Sequence, residues 1–294
     1  MKQKVGWIGT GVMGKSMCRH ILNAGYEVSV YNRTKKKSED LVKIGAIWRS
    51  NAKEVAENSD IIFTIVGYPK DVEEVFFGEQ GIMEGIKPNS IIVDMTTSEP
   101  TLAQRIYQQI QMKESFFIDA PVSGGDIGAR EGTLAIMAGG DKEIYEKVLP
   151  FFNLMGKNVA YMGKAGAGQH TKMSNQILIA STMIGVVESL LYAYKAGNDL
   201  IKVINVIGKG AAGCWSINNL GPRIVKENFD PGFFIKHFVK DMGIALQEAK
   251  QMNLALPGLA LAYQFYVSAI AMGLENLGTQ GLYKVFAKMN GIET

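Results

Sequence analysis

Over the first half of the chain, short apolar runs alternate with amphipathic stretches. Residues 5–8, 27–31, 61–66, 91–95 and 116–120 read as strands, most of them apolar on both faces. Strands of a parallel sheet covered on both sides have that pattern. Between them lie helical spacings such as Met13, Met17, Cys18, Ile21 and Leu22, ended by Gly25. The alternation predicts an α/β fold built on a doubly wound parallel sheet. It stops after residues 159–163. From Gly168 a helical pattern without proline runs to Gly197, roughly 40 Å at the rise of an α-helix and long enough to bridge two domains. Helical patterns then dominate, at 200–207, 242–252 and 259–272. The expected organisation is a sheet domain over 1–164 and an all-helical domain over 165–294, joined by a helix of about 168–196.

Composition narrows the classes. The 294 residues are enough for two cores, and the hydrophobic fraction of 47% is that of an ordinary globular protein. A balance of 31 basic against 28 acidic residues, with no block of basic charge, argues against nucleic acid as a partner. The two cysteines, Cys18 and Cys214, are far apart, and the three histidines are scattered. Neither set has metal-ligand spacing, so no metal is expected, and both cysteines read as buried small hydrophobes. Glycines break the first apolar run too early for a signal peptide, and no apolar run approaches the ~18 residues of a membrane span. The expected location is the cytoplasm, away from a membrane. Helices apolar on several faces, such as LPGLALAYQFYVSAIAMG, call for a cover, and a homo-oligomer (dimer or tetramer) is expected.

The first strand runs into GWIGTGVMG. Gly9-x-Gly11-x-x-Gly14 between a strand and a helix points to a dinucleotide: Gly9 for a tight turn, Gly11 for close approach of backbone to a pyrophosphate, Gly14 for helix–strand packing. Thr10, Val12 and Met13 supply the intervening backbone, and the helix N-terminus supplies N–H donors. The second strand ends in Asn32-Arg33-Thr34, followed by three lysines. A carboxylate there would accept from ribose hydroxyls and favour NAD, whereas an arginine can fork onto a 2′-phosphate. NADP is therefore the expected cofactor, with NAD possible at lower affinity.

Three further segments carry candidate chemistry, and all are expected at a cleft between the domains. Asp119-Ala-Pro-Val-Ser123-Gly124-Gly125 leaves the carboxyl end of a strand, where Ser123 and the N–H groups of Gly124 and Gly125 can receive a carboxylate. In GAGQHTKMSNQ, Lys172, Asn175 and Gln176 stand at i, i+3 and i+4 and share a helix face. Lys172 can protonate a carbonyl oxygen on which negative charge builds, Asn175 can hold the lysine or the substrate, and Gln176 can brace them or meet the substrate. Taken alone, the same stripe reads first as a solvated face, and it is the context of the other segments that favours chemistry. Lys240, in HFVKDMGIAL, can reach a cofactor or a bound anion.

Five segments together, GWIGTGVMG, DMTTSEP, DAPVSGGDIGAREGTLAIMAGGD, GAGQHTKMSNQ and FFIKHFVKDMGIAL, resemble the β-hydroxyacid dehydrogenase family over essentially the whole length. That family includes 3-hydroxyisobutyrate dehydrogenases, tartronate semialdehyde reductases and glyoxylate/succinic semialdehyde reductases. The resemblance implies a Rossmann-type N-terminal domain, a helical C-terminal domain and Lys172 as the catalytic lysine. It also implies that Ser123, Gly124, Gly125 and Asn175 bind a small carboxylate substrate. Thr97 and Lys240 would then lie at the cofactor, and the backbone of Val66 and Gly67 on its adenosine ribose side. Two departures bear on substrate identity. Gln176 replaces a second asparagine, as in tartronate semialdehyde reductase-like sequences, and Val66-Gly67 replaces Leu-Pro.

The expected activity is NADP(H)-dependent interconversion of a small β-hydroxy acid with its semialdehyde or keto acid. An imine-reducing relative is the alternative within the fold, although such relatives usually lack the lysine. A 6-phosphogluconate-type substrate would ask for more basic residues. A non-catalytic NADP-binding sensor or scaffold has no reason to keep Ser123, Lys172, Asn175 and Lys240 together.

Overall fold

A computed structural model describes residues 3–292. It contains two compact units, one reaching up to Lys172 and the other beginning at Met173. The first unit holds nine strands: β1 (Val5–Ile8), β2 (Val28–Tyr31), β3 (Ile47–Trp48), β4 (Ile61–Thr64), β5 (Ile91–Asp94), β6 (Phe116–Asp119), β7 (Val122–Ser123), β8 (Leu134–Gly140) and β9 (Gly156–Gly163). They form one sheet in the order β3-β2-β1-β4-β5-β6-β8-β7, with β9 paired to β8. From β3 to β6 every pairing is parallel.

Both faces of the central strands are buried, as their unbroken apolar runs predict. Successive residues point to opposite sides, so Trp7 and Phe63 enter one apolar layer while Ile8 and Ile62 enter the other. The sheet is not parallel throughout, however. β8 runs antiparallel to both β6 and β7. The chain returns directly after β6 through β7 and a short helix, Gly125–Glu131, and antiparallel pairing accepts connections too short for a parallel crossover.

The second unit is helical, with Leu200–Ile207, Ile235–Gln251, Pro257–Ala271 and Leu282–Met289 as its longer elements. Its helix expected over 242–252 begins earlier, at Ile235, because Ile235 and Phe238 are also buried and carry the apolar period back two turns. The long helix spans Ala167–Lys195. An 18-residue window of it has a mean hydropathy of 1.7, long and apolar enough to cross a membrane by length and composition. That departs from the expectation that no run approaches such a length. Ala180, Met183, Val187 and Leu190 from this stretch are buried in the core of the second unit, which gives the apolar character a packing role. Cys18 is buried as expected, but Cys214 is only partly so. Its sulfur accepts the N–H of Ile217 at 3.4 Å and caps a short helix.

One buried carboxylate fixes where the long helix begins. Asp119 closes β6 and has no exposed surface. Its Oδ1 accepts the Gly166 N–H at 2.7 Å and its Oδ2 the Gln169 N–H at 2.9 Å. The first N–H groups of a helix have no partner within it, and the helix dipole favours an anion there. Gln169 makes a second anchor. Its Nε2 donates to the Thr96 carbonyl at 2.7 Å and its Oε1 accepts the Ser98 N–H at 3.0 Å. The approach is so close that a Cβ on Gly168 would stand 2.2 Å from the Met137 carbonyl oxygen and 2.7 Å from that of Asp119. Glycine is required there for space alone.

Burial pushes the Asp119 carboxyl up to about 7, against the pull of the two N–H donors, and the neighbouring Asp94 adds to the rise. Between the ordinary carboxylate range and that value, the folded protein holds a proton the unfolded chain has lost. The stability from this group therefore falls as pH rises through that window. A carboxamide at the same position cannot titrate. In urea denaturation from pH 4 to 8, the wild type should lose stability relative to Asp119→Asn by up to about 1.4 kcal/mol per pH unit. A difference that stays flat across the range would show that Asp119 does not titrate there.

Candidate active site

The glycine-rich turn separates two kinds of glycine. Gly9 has a φ of 97°, and a Cβ on it would lie 2.0 Å from the Ile65 carbonyl oxygen. A Cβ on Gly14 would lie 2.1 Å from the Gly9 carbonyl oxygen. The protein itself requires both. Around Gly11 nothing lies within 4 Å of the added atom, so the chain alone gives no reason for a glycine. Gly11 is also the N-cap of helix Val12–Asn23, with no side-chain cap and no acidic residue in the first turn. Val12 beside it is 64% exposed. An uncapped helix N-terminus facing open space, with glycine at the cap, fits the pyrophosphate of a dinucleotide. Met13 packs inward against the first apolar layer.

Neighbouring strand ends complete this edge. The buried Thr10 donates its N–H to Asn32 Oδ1 at 2.9 Å, and Asn32 Nδ2 donates to the Thr34 carbonyl at 3.0 Å. Asn32 thus ties the turn after β2 to the turn after β1, while Thr34 is exposed. Arg33 is exposed too, and its Nη1 lies 3.2 Å from Asp71 Oδ1. After β4, the Val66 N–H donates to Thr96 Oγ1 at 2.9 Å. Gly67 lies close against the Asp71 carboxylate, where a Cβ would come within 3.0 Å of Oδ2. Past β5, Asp94 Oδ1 accepts from Thr64 Oγ1 at 2.7 Å and from the Thr96 N–H at 3.1 Å. Thr97 follows, half-buried, and then Ser98, whose buried Oγ has no hydrogen-bond partner among the described residues.

Lys172 stands three residues after Gln169 on the anchored start of the long helix, so it lies on the same face one turn further on. It is 6% exposed. Lysines are almost never that buried on a solvated face, which removes the reading of this position as a surface stripe. Ser123 ends β7, and Gly124 and Gly125 carry the chain into the next helix with φ values of 132° and 64°. Both are left-handed conformations that favour glycine.

In the second unit, Asn175, Gln176 and Lys240 belong to one polar chain. Asn175 Nδ2 donates to Gln176 Oε1 at 2.7 Å, and Gln176 Nε2 donates to Asp241 Oδ2 at 2.7 Å. The Lys240 ammonium lies 2.8 Å from Asp241 Oδ1, an ion pair off the line of a hydrogen bond. Both side chains of the pair are nearly buried, at 11% and 2% exposed. Burial, with the Lys240 charge adding to it, holds His237 below its usual range. Four residues to which pattern reading assigns no role of their own emerge here: Asp71, Asp119, Gln169 and Asp241. Asp119 and Gln169 lie inside the quoted motifs, and Asp241 adjoins Lys240. Asp71 carried no such signal, since its partner is distant in sequence.

A family profile described as the NAD-binding domain of 6-phosphogluconate dehydrogenase matches residues 4–163. A second, described as NAD-binding of NADP-dependent 3-hydroxyisobutyrate dehydrogenase, matches residues 166–286. The chain is 52% identical to a probable mitochondrial 3-hydroxyisobutyrate dehydrogenase-like protein of Arabidopsis thaliana, over 98% of this chain and 86% of that one. It is 39% identical to the 2-hydroxy-3-oxopropionate reductase of Escherichia coli, over 97% and 98% of the two chains. The solved 3-hydroxyisobutyrate dehydrogenase of Mycobacterium tuberculosis with L-serine shares the fold, with a TM-score of 0.90 at 24% identity over 97% and 99% of the chains. With the dinucleotide turn, the buried lysine and matches of this extent, the chain belongs to the β-hydroxyacid dehydrogenase family of NAD(P)-dependent oxidoreductases.

Proposed function

We propose that this protein interconverts a small β-hydroxy acid with its semialdehyde or keto acid, preferring NADP(H), with Lys172 as the proton donor and acceptor. The observation that carries the reading is the placement of Lys172. It is a buried lysine on a helix start that Asp119 and Gln169 hold against the ends of β5 and β6. Ligands of open parallel sheets bind outside those strand ends.

When bound, the nicotinamide supplies or takes the hydride. The Gly9–Gly14 turn and the N-terminus of helix Val12–Asn23 are assigned to its pyrophosphate, and Val66, Gly67 and Thr97 to the rest of the cofactor. Arg33, with Asn32 and Thr34, is assigned to the 2′-phosphate, because no carboxylate follows β2 to receive ribose hydroxyls. Lys172 delivers a proton to the carbonyl oxygen as charge grows on it, and takes it back from the alcohol in the other direction. Being shielded from water, its ammonium stabilises that charge more strongly than it would at the surface. Ser123 with the N–H groups of Gly124 and Gly125 is assigned to the substrate carboxylate, Asn175 to a polar group of the substrate, and Lys240 to the cofactor side.

The names of the relatives support the substrate class. 3-Hydroxyisobutyrate and 2-hydroxy-3-oxopropionate each carry a reacting carbon separated from a carboxylate by one carbon. The apolar side chains of Leu178, Tyr192 and Leu261 on the second unit are 69%, 79% and 53% exposed, which supports association of like chains.

The reading is tested by following NADPH and NADH oxidation with a panel of short semialdehydes and 3-keto acids, with glyoxylate included. Turnover is expected with at least one carboxylate-bearing carbonyl, and faster at limiting NADPH than at equal NADH. Tight NADPH binding without turnover on any member would leave a sensor or scaffold. For Lys172, replacement by Met keeps an unbranched chain of similar bulk. Lys172→Met should lower kcat by about 10³-fold, with NADPH affinity and melting temperature near wild type. Loss of folding and of NADPH binding together would make Lys172 structural and place the proton donor elsewhere.

A further inference from the structure

Arg33 is not the only charged group at the adenosine end of the candidate cofactor site. It lies two residues past β2, and Asp71 lies in the first turn of helix Pro69–Phe77, which follows β4. In the sheet, β2 and β4 are the two neighbours of β1. The 3.2 Å contact between Arg33 Nη1 and Asp71 Oδ1 therefore spans the carboxyl end of β1, where the glycine turn leaves the sheet. The two partners are unequally held. The Arg33 side chain is 79% exposed and that of Asp71 15%. Asp71 is fixed by its second oxygen, Oδ2, which accepts the Tyr68 N–H at 3.0 Å beside Gly67. An anchored, largely buried carboxylate thus holds an exposed arginine.

We infer that Asp71 is a specificity-determining residue. It competes with a 2′-phosphate for Arg33 and so limits how strongly the enzyme prefers NADP(H) over NAD(H). The inference rests on the assignment of Arg33 to the 2′-phosphate. A phosphate brings more charge and more acceptor oxygens than one carboxylate, and it can draw an exposed arginine away from a weak surface pair. Asp71 cannot follow, being fixed to Tyr68, and its charge is left beside the phosphate to repel it. NAD(H) has no phosphate at that position and leaves the pair intact.

The test is equilibrium titration of NADPH and NADH by their fluorescence, at matched ionic strength, with wild type, Asp71→Asn, Arg33→Ala and the double variant. The amide oxygen introduced by Asp71→Asn can still accept the Tyr68 N–H, so the helix start is kept, and thermal melting checks that it is. Asp71→Asn should tighten NADPH by about fivefold and leave NADH within about twofold, the scale of one exposed ion pair. In the Arg33→Ala background the same change should tighten NADPH less. If Arg33→Ala lowers the NADPH preference while Asp71→Asn leaves it unchanged or reduces it, the competing role of Asp71 is overturned and the NADP reading stands. If Arg33→Ala leaves the preference unchanged, both are overturned.

Discussion

The first unit depends on a carboxylate that receives a helix. A helix entering from a loop has free N–H groups at its start, and burying them unpaired is costly. Asp119 pairs two of them from the end of β6, and the Gln169 side chain pins the helix start to the loop after β5. With the helix start fixed at two points on the strand ends, the direction of the next turn is determined and Lys172 is carried with it. A lysine on a free loop would lose that position to side-chain and backbone entropy. Here the helix, rather than the lysine, bears the ordering cost. The anchor also accounts for the boundary of the first compact unit at Lys172, inside the long helix rather than before it.

Strand ends on either side of β1 are also tied together by polar side chains. Asn32 joins the turns after β1 and β2 by two hydrogen bonds, while Asp94 gathers Thr64 and Thr96 after β4 and β5. These polar side chains hold the backbone of the rim rigid, so the rim's own N–H groups are arranged before any ligand arrives. Preorganised donors of that kind need no rearrangement on binding. The arginine at this rim is exposed, and its partner Asp71 is held by the Tyr68 N–H.

The fold was largely legible because buried parallel strands and a proline-free helix leave strong periodic signals. Strand boundaries came within two residues at β1, β2, β4, β5 and β6. The antiparallel return through β7 and β8 was not seen, since β7 is only two residues long and carries no period. Candidate residues were legible where a motif has a mechanism: Gly9 and Gly14 fill the roles their spacing assigned. The glycines at 139 and 168 carry no such motif. Their need for space arises from contacts with Asp119, distant in sequence from both. Asp71 and Asp241 escaped for a related reason, because what they do depends on which partner the fold brings to them. Burial also reversed one judgement that local pattern left open, as Lys172 proved to be enclosed.

Gln176 poses the last question, whether it braces the neighbouring residues or meets the substrate. The Asp241 carboxylate can only accept when ionised, so the Gln176 amide must turn its Nε2 toward it. That leaves Oε1 facing Asn175, which must then present Nδ2. One charge thus sets the orientation of two amides in succession. Both ends of Gln176 are occupied within the second unit, and its role there is to brace. The consequence falls on Asn175, whose remaining strong group is its carbonyl oxygen. An acceptor suits a hydroxyl or an ammonium and does not suit a carboxylate. A shorter asparagine at 176 would lack one methylene of reach toward Asp241, so the glutamine is what keeps this polarity in force.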